Sequence, residues 1–203
     1  MPPEDDWSAH FEPTPAPQDP DLLPEVLARM DLQARRRQLP IVDAIRGGLP
    51  PDVVTARLVT SGIRAHPDLI SWWSWHDGVE DSYQGRGDYQ LGTWVYSLDF
   101  AITEWLDFQE EIELDDDRFI FGVPPQYVPF MGGMAGDRFL LDTITREVAA
   151  SHPQYTHDAW PRWPNMATLL NQGVANIACG KGWPPDSPGI HTPDPDYRSD
   201  NGS

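Results

Sequence analysis

Four carboxylates stand within five positions in ELDDDRF, residues 113–119. Carboxylates at that spacing are the donor type that Mg²⁺ or Ca²⁺ takes. A calcium loop also needs a glycine at its sharp middle turn, and this run has none. The block follows a helical pattern, and charge blocks of this kind are usually solvated surface, so no metal site is expected. His76 beside Asp77 is the next candidate, because an imidazole and a carboxylate together can move protons. General-base work needs a nucleophile within hydrogen-bond reach, and no serine or cysteine motif supplies one. His152 and His157, five apart in a proline-rich stretch, fix no zinc geometry. GGMAGD, residues 132–137, leads into a strand and lacks the helix and lysine of a phosphate cradle. ACGKGW fails in the same way, and Arg86-Gly87-Asp88 is a chance tripeptide in a Gly/Asp-rich stretch. Cys179 is the single cysteine, which excludes an intramolecular disulfide and a four-cysteine metal centre. Expected, therefore, are no catalytic residues, no metal ligands and no cofactor.

Aromatic side chains are the other potential site. LISWWSWHDG, residues 69–78, places three of the nine tryptophans within four positions. Base-stacking platforms pair such rings with a positive groove. Here the neighbours are Asp77, Glu80, Asp81 and Asp88, so nucleic acid would be repelled. At about 100° per residue Leu69, Trp72, Trp73 and His76 share one helical stripe, which assigns Trp72 and Trp73 to a core. Trp75 points away from the stripe and is expected to be partly exposed. An exposed tryptophan beside acids is a fitting anchor for a protein partner.

The net charge of −18 and pI near 4.4 oppose binding to phosphate backbones or anionic membranes and leave basic proteins as partners. Residues 77–117 hold thirteen acids and one base, Arg86, whereas residues 22–64 hold seven arginines and four acids. No apolar run approaches the roughly 18 residues of a membrane span, and no signal segment opens the chain. A cytoplasmic protein is expected. One lysine against thirteen arginines fits a high-GC bacterial genome. Residues 1–20 and 183–203 are rich in proline and acid and are expected to be extended or disordered tails.

The elements that must position these residues lie between. LPEVLARMDLQARRR predicts a helix stopped by Pro40, and IVDAIRGG a short segment ended by Gly47 and Gly48. PPDVVTARLVTSG predicts a helix with proline at its start and Gly62 past its end. Pro67 and Asp68 open the tryptophan helix, and Gly78 suits a left-handed cap. YQLGTWVYS predicts a strand and SLDFAITEWLDF a helix capped by Ser97. RFIFGV, QYVPFM and DRFLLD are strand-like, REVAASH pairs with the last of these, and NMATLLNQGVANIA closes the chain as a helix capped by Asn165. Helices, a mostly antiparallel sheet and a final helix define one α+β domain over residues 21–182.

In order and spacing these pieces resemble the SUKH superfamily, the domain of fungal Smi/Knr-type cell-wall regulators and of many bacterial immunity proteins. HPDLISWWSWHDG is similar to its first motif helix, with Pro67, Asp77 and Gly78 at the marked positions. VYSLDFAITEW resembles the strand and Ser-Leu-centred helix that follow. YVPFMGGMAGDRFLLD resembles the proline-containing strand, glycine turn and Gly-Asp-apolar-Asp strand, with Pro129, Gly136, Asp137 and Asp142. REVAAS and NMATLL resemble the last strand and closing helix. The resemblance covers about residues 53–175; the helical segment of about residues 22–48 is an addition to the minimal pattern.

It implies a SUKH-like domain that acts without chemistry, as a bacterial immunity protein that binds and neutralises a cognate toxin. An acidic inhibitor suits a basic toxin such as a nuclease, whose cleft attracts phosphates. The candidate docking surface is Trp75, Glu80, Asp81, Glu110, Glu111, Glu113, Asp115, Asp116 and Asp117. A regulatory scaffold of Smi/Knr type is the alternative, and a carboxylate- or metal-dependent enzyme the third.

Overall fold

The computed structural model describes residues 19–39, 41–79, 93–113, 123–133, 137–151 and 160–179. After a 3₁₀ turn at Pro20–Leu22, α1 spans Leu23–Arg36. Leu23, Val26, Leu27, Met30 and Ala34 are buried at helical spacing, and Arg35 and Arg36 oppose the dipole at its end. A one-turn helix α2, Ile41–Ala44, runs directly into strand β1, Ile45–Gly47. Helix α3, Pro51–Thr60, starts on proline and is followed by Gly62 at φ +82°, as its sequence predicts.

Helix α4, Pro67–Trp75, buries Leu69, Trp72 and Trp73 and ends earlier than its pattern suggests. His76–Val79 is a strand, β2, antiparallel to β1, so His76 leaves the helical stripe to which periodicity assigns it. Gly78 takes φ +78° as expected, but inside a strand rather than at a helix cap. The main sheet has the order β3-β4-β5-β6-β7 with every neighbour antiparallel. Its strands are β3 Thr93–Val95, β4 Tyr127–Gly133, β5 Arg138–Asp142, β6 Val148–Ser151 and β7 Arg162–Trp163. Helix α5, Leu98–Glu113, joins β3 to β4, and α6, Met166–Ala178, closes the fold.

The expected α+β class is therefore observed, with a five-stranded and a two-stranded antiparallel sheet among the described residues. Of RFIFGV only Val123 is described, and it lies outside any strand. Both terminal tails fall outside the described residues, apart from Asp19 and Pro20.

Side chains of the central strands β4, β5 and β6 divide between two apolar clusters. Val128, Phe130, Phe139, Leu141, Val148 and Ala150 enter the main core with α1, α3, α4 and α6. Tyr127, Leu140 and Ala149 enter a second cluster with Phe108 of α5, Val123 and Trp160. Both faces of the central strands are thus covered, which is why all four residues of β6 are buried. Helix α6 is buried at every position but Asn171 and Ala175, and Arg29 of α1 donates to Asn171 at 2.9 Å. Among the described residues no helix is long and apolar enough to cross a membrane.

Candidate functional site

The residues singled out in the sequence divide by what their side chains hold. Asp77 Oδ1 accepts the backbone N–H of Leu98 at 2.8 Å, and Ser97 Oγ accepts that of Phe100 at 3.1 Å. Two side chains from separate elements thereby satisfy the first turn of α5, whose free N–H groups carry a partial positive charge. Gly78 lies against the same turn, where an added Cβ would come within 2.6 Å of the Ser97 nitrogen. Pro67 occupies the first turn of α4, and Pro129 sits in β4 beside a register shift, where a missing N–H is tolerated. Asp142 Oδ1 accepts from the N–H groups of Ile144 and Thr145 at 2.7 and 3.2 Å and shapes the turn into β6. Asp137 is half-buried just before β5, and Gly136 lies outside the described residues.

Trp75 turns toward α1. Its indole N–H donates to Asp31 Oδ2 at 3.1 Å, and its ring packs against Trp72 and His76 with centroids 5.2 and 4.3 Å away. His76 Nε2 meets Asp31 Oδ1 at 3.0 Å, and Nδ1 meets the Arg46 carbonyl at 3.0 Å. Both ring nitrogens face acceptors within the protein, and a neutral ring can donate to only one of them. The carboxylate partner of His76 is Asp31, 45 positions earlier, and not the adjacent Asp77. Burial works to raise the Asp31 pKa; the hydrogen bond and charge of His76, the Trp75 N–H and Arg35 outweigh it and hold the carboxyl below its ordinary range.

A second buried polar group lies at the other end of α4. His66 Nδ1 accepts the Asp68 N–H at 3.2 Å and caps the helix. The buried Asp68 carboxylate receives Arg146 in a fork, Nη2 at 2.8 Å and Nε at 3.3 Å. Arg146 has φ +71° in the turn between β5 and β6, a conformation rare outside glycine and asparagine. Its hydrogen bond to Asp68 holds the guanidinium pKa above its ordinary value. Neither Arg146 nor Asp31 carries a sequence signal of these roles, because each partner is more than forty residues away. The His-Pro-Asp order before the tryptophan helix is a capping pattern, and in retrospect the readable half of the cluster.

Of the proposed docking surface, Glu110 is exposed on α5, and Glu111 and Glu113 belong to the end of that helix. Asp107, one turn earlier, is exposed. Glu80, Asp81, Asp115, Asp116 and Asp117 fall outside the described residues. On the preceding turns Glu104 accepts from Arg138 Nε at 2.6 Å, and Asp99 pairs with Arg57 of α3. The acids of α5 nearest its start thus serve the fold. Among the described residues no group of three or more His, Cys, Asp or Glu is placed to hold a metal ion.

These arrangements define an α+β domain whose polar clusters tie helices to strands and turns. Compared with protein-family models and with curated proteins, the chain matches none.

Proposed function

We propose that this chain is a bacterial immunity protein of SUKH type, which binds a cognate toxin in the cytoplasm and neutralises it without chemistry. One observation supports the reading above others: the residues of the family resemblance do mutually dependent work. Asp77 and Gly78 of the first motif build the start of the Ser-Leu helix of the second, and Asp142 forms the turn between the last two motif strands.

The docking surface we assign is the end of α5 with the acidic residues that follow it in sequence; Trp75, turned toward α1 and two residues before the Asp77 that caps the start of α5, lies away from it. At −18 overall, the protein attracts a basic partner at long range. A nuclease toxin fits that description, and occlusion of its cleft would suffice for inhibition.

The test is to read the neighbouring genes for a toxin domain and to co-express this chain with it. Rescue of growth together with a stable purified complex supports the proposal. A toxin that kills equally with and without this chain, and fails to bind it, overturns the proposal.

A further inference from the structure

His66 is a helix cap of an unusual kind. The ring is buried, and its Nδ1 accepts the Asp68 N–H at 3.2 Å. A nitrogen that accepts a hydrogen bond carries no proton, so this cap functions only when the imidazole is neutral, with hydrogen on Nε2. The same Nδ1 lies 3.9 Å from Asp68 Oδ2, the oxygen that Arg146 Nε contacts at 3.3 Å. One carboxylate oxygen therefore stands within reach of two cations, of which one is permanent and the other depends on pH.

We propose that His66 is an acid-operated latch: neutral, it caps α4 and leaves both oxygens of Asp68 to Arg146; protonated, it abandons the cap and shares Asp68 Oδ2, loosening the Nε arm of the Arg146 fork while the Nη2 bond to Oδ1 remains. A protonated Nδ1 would point its hydrogen at the Asp68 N–H, donor against donor, so the ring must move. The Asp68 carboxylate, 3.9 Å away, is an acceptor within reach. Arg146 would then be held chiefly by its Nη2 bond to Asp68 Oδ1 at 2.8 Å, while Asp142 keeps the turn in shape through its bonds to Ile144 and Thr145.

The groups facing His66 make the latch sensitive. Burial in the main core lowers its pKa, Asp68 and Asp142 raise it, and Arg146 and Arg64 lower it, with a net shift downward. Asp21, on the turn before α1, adds a weak contact to Arg146 at 3.9 Å and offers the loosened guanidinium a second carboxylate.

The full chain is titrated from about pH 8 to pH 5, following the His66 ring nitrogens and the Arg146 Nε–H by NMR. Expected are an Nε2–H ring at the high end and an Arg146 signal that moves with the His66 midpoint. His66→Asn keeps a capping oxygen and cannot titrate, so its Arg146 signal should stay flat. Arg146→Gln removes the competing cation, and the His66 midpoint should rise, a shift that a merely structural histidine far from Asp68 would not show. An Arg146 signal that stays still through the His66 titration overturns the proposal. So does a His66 midpoint unmoved in Arg146→Gln, which decides the matter even if His66→Asn fails to fold.

Discussion

Asp77 and Leu98 are joined by a 2.8 Å hydrogen bond from the Leu98 N–H to the Asp77 carboxylate. The bond spans 21 positions and fixes the β2 strand to the start of α5. A carboxylate there also meets the positive end of the helix, so charge and hydrogen bond act together.

Asp77→Ala should destabilise the fold by about 0.5–2 kcal/mol, the usual cost of losing a cap. Asp77→Asn keeps an acceptor oxygen and should lose less. Urea unfolding of the three proteins measures the order. Equal stability of Ala and wild type would assign the capping of α5 to Ser97 alone.

Two glycines on neighbouring strands should respond unequally to alanine. At Gly78 the backbone is left-handed at φ +78°, and a Cβ would press on the Ser97 backbone. Gly78→Ala is expected to cost about 1–3 kcal/mol. At Gly47 nothing lies within 4 Å of an added Cβ, so Gly47→Ala should be close to neutral. Thermal unfolding of both variants checks the contrast.

Local chemistry made much of this fold readable, and contact at a distance hid the rest. Ser97 and Asn165 cap the helices that their positions announce, and Asn165 Oδ1 accepts the Thr168 N–H at 2.8 Å. Trp72 and Trp73 are fully buried, as their stripe demands. Strand β7 escaped notice because it has two residues set between Pro161 and Pro164. The β1–β2 pair escaped because His76 and Asp77 continue a helical pattern while their partners, Asp31 and Leu98, come from elsewhere in the chain. Periodicity registers burial by one neighbouring surface; it carries no trace of a hydrogen bond that pulls a residue out of register. For the candidate site, the acidic character of α5 was plain, but the use of Glu104 and Asp99 in ion pairs was not.

Asp31 should govern the acid limb of stability. Its folded-state pKa is held below the ordinary 3.8. The unfolded chain therefore binds the proton more readily, and the contribution of Asp31 is fully present above that ordinary value. It is lost as pH falls through the lower, folded value. Asp31→Asn should be less stable than wild type at neutral pH, and the difference should shrink toward about pH 2. Denaturation midpoints across that range provide the measurement; a constant difference would mean that Asp31 acts through packing alone.

Charge reversal at the end of α5 tests the proposed docking surface. Glu110→Lys, Glu111→Lys and Glu113→Lys together change the charge by six units, from −18 to −12. A solubilising surface and a docking surface both carry excess charge, but only the second concentrates its effect at one place. The control is therefore a variant of equal net charge with Glu25, Asp43 and Asp52 reversed, all exposed on the N-terminal helices. If the α5 end steers a basic partner, its triple variant should associate about tenfold more slowly at low salt. The control should lose much less, and raising salt should bring the wild-type rate down toward the variant's. Both proteins should fold, because Glu110 is exposed and removal of like charge relieves self-repulsion. Stopped-flow association with the purified toxin domain gives the rates. Equal slowing in both variants would show that the whole field attracts the partner, and no slowing in the α5 variant would move the interface to the arginine-rich helices at the other end of the chain.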